Sequence, residues 1–154
     1  MKIAYGIHGY GRGQATRALA VLPHLAERHD VLVLAGGEAY PALCPGYPVV
    51  RIPTLRYHYG KRGELSNYLN IKRNLSAVLD LKLAGPALQM VAEALADFGA
   101  DVVVSDSEAF THQAARRLRI PRIGFDHFGL LVYCRLLKLR CGIQYVRVRL
   151  QLRR

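Results

Sequence analysis

The chain has 154 residues, 51% of them hydrophobic and 21% charged. That suits one domain with a packed core, and it excludes both a disordered polymer and two ordinary domains. The net charge of +11 is concentrated at one end: seven of the 22 basic residues fall after position 134, and residues 1–134 carry +4 (15 basic against 11 acidic).

No apolar run reaches the roughly 20 residues that a membrane-spanning helix requires. The opening MKIAYGIHGYGRG places glycines and a histidine where a secretion signal would carry its apolar stretch, so a cytoplasmic location is expected. Cys44, Cys134 and Cys141 show no CxxC spacing and no following histidine, which reads as free thiols rather than a metal set.

Lys2 to Ile7 is a short apolar run that reads as a buried strand, and His8 to Gly13 (HGYGRG) is a glycine-rich turn. From Gln14 the period becomes helical, with Ala15, Ala18, Leu19, Leu22, Leu25 and Ala26 recurring at helical spacing. Pro23 lies inside that pattern, so a kink or break is expected there. The run VLVLAGG after Asp30 reads as a strand covered on both faces.

Tyr40 to Pro48 reads as a loop, Val49 to Ile52 as a third strand, and Pro53 to Asn70 as irregular. Ile71 to Phe98 is helical in period, divided by Gly85-Pro86. Asp101 to Ser105 reads as a buried strand, Glu108 to Leu118 as a helix facing inward through Ala109, Ala114, Ala115 and Leu118, and Arg122 to Phe125 as a last strand. Strands alternating with helices predict an α/β fold, a Rossmann-like parallel sheet with helices on both faces. The final stretch, 130–154, has no acid and no turn signal, and its composition breaks from what precedes it. It reads as an amphipathic strand pair, a basic amphipathic helix, or the product of a truncated or frame-shifted gene.

Ligands of open parallel sheets bind beyond the carboxyl ends of the strands. Three segments place polar groups there: His8 to Arg17, Ser105 to Glu108, and Asp126 with His127. Gly9, Gly11 and Gly13 let the backbone approach a ligand, and the following helix aims free N–H groups at the same place, which suits phosphate. Arg12 and Arg17 add charge-assisted donors. The spacing departs from the dinucleotide fingerprint, because Gln14 stands where the third glycine belongs; no phosphate-loop lysine follows either. Asp106 or Glu108 could take a proton from a hydroxyl; alternatively Asp106 or Ser107 caps the next helix. No metal cluster and no cofactor is indicated.

The segment KIAYGIHGYGRGQATRALAVLPHLAERHDVLVLAGG resembles the opening of GT-B glycosyltransferases of the MurG-like and UDP-glucuronosyltransferase-like kind, a strand followed by GxGxGHxTR and a helix. SDSEAFTHQAARRLRIPRIGFDHFG resembles a later block of the same family. The resemblance covers most of residues 1–129 and implies an acceptor-side N-terminal domain, with 130–154 as a tail. It implies transfer of a sugar from a nucleotide sugar, held by a second domain, to a hydroxyl or lipid-linked acceptor, and a chain inactive by itself. Position by position, Gly9, Gly11, Gly13 and Arg17 match the glycine-loop motif, Ser105, Asp106 and Glu108 the second block, and Asp126 with His127 the third. With His8 and Arg12 added from the turn itself, the expected catalytic set is Gln14, Asp106, Glu108 and His127, and the expected binding set is His8, Gly9, Gly11, Arg12, Gly13, Arg17, Ser105 and Asp126. Gln14 replaces the usual histidine of the motif, and glutamine does not take a proton near neutral pH. The competing expectation is a module whose basic tail binds an anionic polymer or an anionic membrane. Nucleic acid is disfavoured because the tail has one tyrosine after Tyr133 and no recognised binding fold. A nonfunctional gene fragment is the third.

Overall fold

A computed structural model describes residues 1–125. Ten elements follow in chain order: β1 (Lys2–Ile7), α1 (Gly13–Ala26), β2 (Asp30–Ala35), α2 (Ala39–Leu43), β3 (Val49–Arg51), α3 (Asn67–Leu83), α4 (Pro86–Phe98), β4 (Val102–Asp106), α5 (Ala109–Arg117) and β5 (Arg122–Gly124). The strands form one parallel sheet in the order β3-β2-β1-β4-β5. The chain builds outward from β1 to one edge and then crosses to the other side. The switch in direction therefore falls between β1 and β4.

Alternating strand residues feed two cores, as the pleat requires. Ala4, Leu34 and Val103 join Leu88, Val91 and Leu95 of α4 and Phe110, Ala114 and Ala115 of α5 on one face. Tyr5, Ile7, Val33 and Ala35 meet Ala15, Ala18 and Leu22 of α1 and Leu43 of α2 on the other. The expected Rossmann-like sheet with helices on both faces is what forms.

Several local expectations are corrected. Helix α1 runs continuously through Pro23; the helix absorbs a proline whose position gives no break. Leu19 is exposed, not inward. The stretch read as a loop after Tyr40 contains α2, and α3 begins four residues before Ile71 because the Ser66 hydroxyl accepts from Leu69 N. Gly85 and Pro86 do separate two helices: Ala84 closes α3 in the left-handed conformation, and Pro86 opens α4 where its missing N–H costs nothing. In α5 the buried residues are Phe110, Thr111, Ala114 and Ala115, while Leu118 is exposed.

Candidate functional site

The carboxyl ends of β1 and β4 lie side by side, with Ile7 opposite Asp106. His8 N donates to the Asp106 carbonyl at 3.1 Å. Two of the three polar segments expected at this rim therefore meet. Arg17, one turn into α1, joins them: its guanidinium forms a forked pair with the Asp106 carboxylate, Nε to Oδ2 at 3.0 Å and Nη2 to Oδ1. The same guanidinium lies 4.8 Å from the Phe125 ring centroid, and Phe125 N donates to Ser105 O. The end of β5 is thereby tied to the same rim. Asp126 and His127 lie outside the described residues.

The turn from β4 into α5 is closed by its own side chains. Ser105 Oγ donates to the Glu108 carbonyl at 2.6 Å. The Glu108 carboxylate accepts from Phe110 N and Thr111 N, capping α5. The cap is neither Asp106 nor Ser107. Burial pushes the Glu108 carboxyl up, against hydrogen bonds from Thr111 and the backbone that pull it down. Ser107 adopts φ 55°, a left-handed conformation uncommon outside glycine. Such backbone strain gathers at functional sites.

A cleft of about 550 Å³ opens at this rim, lined by His8, Gln14 and Ser107 on one side and Tyr57, Asn70 and Ile71 on the other. Asp106 and Glu108 are buried and do not line it. His8 and Gln14, which the sequence keeps six residues apart, share it. Burial lowers the His8 pKa from its ordinary value of 6.5, and the neighbouring Asp106 charge opposes that shift. Its imidazole is consequently neutral at pH 7. Tyr10, on the glycine loop, meets Tyr57 edge-on with ring centroids 5.5 Å apart, and its hydrogen bond with Tyr59 pushes its hydroxyl pKa up. The far wall is shared by the segment read as irregular and the start of the helical stretch that follows it. Its spacing carries one usable signal, Asn70 and Asn74 four apart. Their amides accept from His58 N at 2.7 Å and Arg56 N at 3.0 Å, binding the loop to α3.

The glycines divide by role. A Cβ on Gly9 would overlap the Gly36 carbonyl, and Glu38 N donates to Gly9 O at 2.9 Å. Gly9 therefore seats one strand-end loop against another. Gly11 (φ 78°) and Gly13 face open space. Arg12 is exposed, no side chain caps the start of α1 and its first turn holds no acid, so its N–H groups remain open to an anion. Gly9→Ala is expected to destabilise by about 1–3 kcal/mol through overpacking. Gly13→Ala, at a compatible helical position, should stabilise by about 0.4–1 kcal/mol. Urea denaturation of both variants checks the opposite signs.

The sequence profile of glycosyl transferase family 1 matches residues 1–140. The chain belongs to that family. Among solved structures, this family 1 chain is similar to MurG of Acinetobacter baumannii, at 20% identity and TM-score 0.51 over 96% of this chain and 38% of MurG. It is similar to the glycosyltransferase SsfS6 of Streptomyces sp. SF2575, at 19% identity and TM-score 0.54 over 82% of this chain and 39% of SsfS6. It is also similar to the glycosyltransferase VinC in complex with DTDP, at 13% identity and TM-score 0.54 over 99% of this chain and 38% of VinC. At these identities the likeness establishes the fold. The family 1 chain spans under two-fifths of the length of these proteins. No curated protein matches it.

Proposed function

We propose that this domain presents an acceptor hydroxyl for glycosylation, with His8 as the proton acceptor and the start of α1 facing the diphosphate of a nucleotide sugar. The observation that carries the reading is the placement of His8. Among the cleft-lining residues it is the one whose ordinary pKa lies near neutrality, and its local environment keeps it unprotonated at pH 7. Gln14 beside it has hydrogen-bonding capacity and no proton-accepting role, so the departure of position 14 from histidine does not empty the cleft of a base.

In this scheme a hydroxyl held between His8 and the Tyr57–Asn70 wall loses its proton to His8 as the oxygen attacks the anomeric carbon, and the nucleoside diphosphate leaves. The leaving diphosphate gathers negative charge where the uncapped N–H groups and the dipole of α1 point. Asp106 holds the rim, without touching the hydroxyl. Donor binding falls to a second domain, so the 154-residue chain by itself is expected to release no sugar from a nucleotide sugar. Sugar transfer is expected when this domain is joined to a donor-binding half. Labelled nucleotide sugar offered to both forms, with a panel of hydroxyl acceptors, tests this. Turnover by the isolated chain, or inactivity of the joined form with every acceptor, would sink the reading.

A further inference from the structure

Ser105 to Glu108 turn the chain from β4 into α5, and three of these four side chains are committed to the protein itself. The Ser105 hydroxyl bonds the Glu108 carbonyl, the Asp106 carboxylate holds Arg17, and the Glu108 carboxylate caps α5. All three residues are buried. Ser107 is not. It is half-buried, it lines the cleft with His8 and Gln14, and its hydroxyl bonds no described residue.

The backbone shows that this serine does not serve the turn. At φ 55° a Cβ crowds the neighbouring carbonyl, and glycine makes the same turn without that cost. Serine often offsets such a cost by bonding nearby backbone, but Ser107 makes no such bond among the described residues. The conformation is imposed from both sides: the Ser105–Glu108 bond closes over it, and Arg17 pins the residue before it. What serine supplies and glycine lacks is an oxygen at the cleft. Its neighbours on that wall, the neutral His8 imidazole and the Gln14 amide, offer donors and acceptors without net charge. Arg56, the cationic member of the lining, is tied to Asn74 on the far wall. The group that fits beside Ser107 is therefore uncharged and hydrogen-bonding, and a hydroxyl is both.

We propose that Ser107 determines acceptor specificity by hydrogen-bonding a second hydroxyl of the acceptor, next to the one that is attacked. His8 serves a single oxygen, so a neighbouring hydroxyl needs its own partner. Ser107, already fixed by the turn, provides one at little entropic cost. The favoured class is a vicinal diol, as in a sugar or polyol, over a compound with an isolated hydroxyl. This inference rests on the cleft holding the acceptor, and it adds a discrimination that proton transfer to His8 does not require. One net hydrogen bond of this kind is worth roughly 2–10-fold in kcat/KM.

The form that includes a donor-binding half, offered methyl hexopyranosides and their monodeoxy analogues, tests it. It should favour a glycoside over the analogue lacking the neighbouring hydroxyl by that factor. Ser107→Ala and Ser107→Gly should both bring the ratio toward one, mainly through KM. Ser107→Gly should at the same time raise the urea midpoint by relieving the backbone. A purely structural role predicts a different pattern: activity follows the stability of each variant, and the loss is equal on both acceptors. That pattern, or a ratio that survives both variants, would overturn the proposal. His8→Ala separates the two readings. Loss of transfer there, beside an unchanged ratio in the Ser107 variants, removes the role of Ser107 and leaves the cleft as the acceptor site. Inactivity of the unaltered form with every acceptor removes both.

Discussion

Replacing His8 with alanine is expected to lower sugar transfer by roughly 10²–10⁴-fold, the usual contribution of a positioned general base. The measurement is kcat in the form that includes a donor-binding half, with donor affinity followed separately. The loss should fall on kcat, since the group acts on the proton in flight and not on the nucleotide. The pH profile gives a sharper test. Burial lowers the His8 pKa below 6.5, so the base is unprotonated from the neutral range upward and the rate should be flat there. It should fall on the acid side, below pH 6.5, as the imidazole gains a proton. The linked effect on folding has the same direction: a depressed folded pKa means the unfolded chain binds more protons, so stability declines as pH drops through that window. In His8→Gln the acid limb should disappear together with the rate. A His8→Ala variant that keeps its rate, or an acid limb that survives the substitution, would move the base elsewhere.

The sheet was legible because buried parallel strands are short continuous apolar runs, and each of the five has that signature or a turn beside it. Helix α1, the Gly85-Pro86 division and the β4 strand were legible for the same local reasons. What periodicity does not report is which side of a helix faces in. Helix α3 has an apolar row of ordinary spacing, and the expectation from such a row is burial. The row stays outside because Asn70 and Asn74 find backbone partners in the 56–58 loop, a tertiary bond that no local pattern announces. Leu19 in α1 and Leu118 in α5 fail similarly, each on rhythm yet at the margin of the buried arc.

At the rim, the convergence of His8 and Arg17 with Ser105 and Asp106 was legible from strand ends alone. The division of labour among them was not. Ser105, Glu108 and Gly9 sit in motif positions but serve the turns themselves, through a hydroxyl, a carboxylate cap and a missing Cβ. The cleft falls instead to His8, Gln14 and the strained Ser107. A motif indicates where polar atoms gather. Burial decides which of them can reach a ligand.

That distinction governs Arg17→Ala, expected to destabilise the domain by about 3 kcal/mol, the lower end for removing one member of a buried ion pair. The Asp106 side chain is completely buried, while that of Arg17 retains 28% of its exposure. Loss of the arginine therefore strands a carboxylate in the interior, whereas the intact pair still touches water. The cost arises chiefly from the orphaned charge, so removing that charge as well should recover much of it. Arg17→Ala with Asp106→Asn should be more stable than Arg17→Ala alone, a non-additivity that a double-mutant cycle in urea reads directly. Arg17→Lys should rescue incompletely, because a lysine supplies one point charge where the guanidinium supplies two parallel bonds. The pair also reaches the chemistry, since the Asp106 carbonyl that accepts from His8 N is held by the same residue that Arg17 pins. Arg17→Ala should accordingly slow transfer even at temperatures where it remains folded. Additive single and double variants would mean that Asp106 is stabilised by something other than Arg17. The rim would then owe its order to the strands alone.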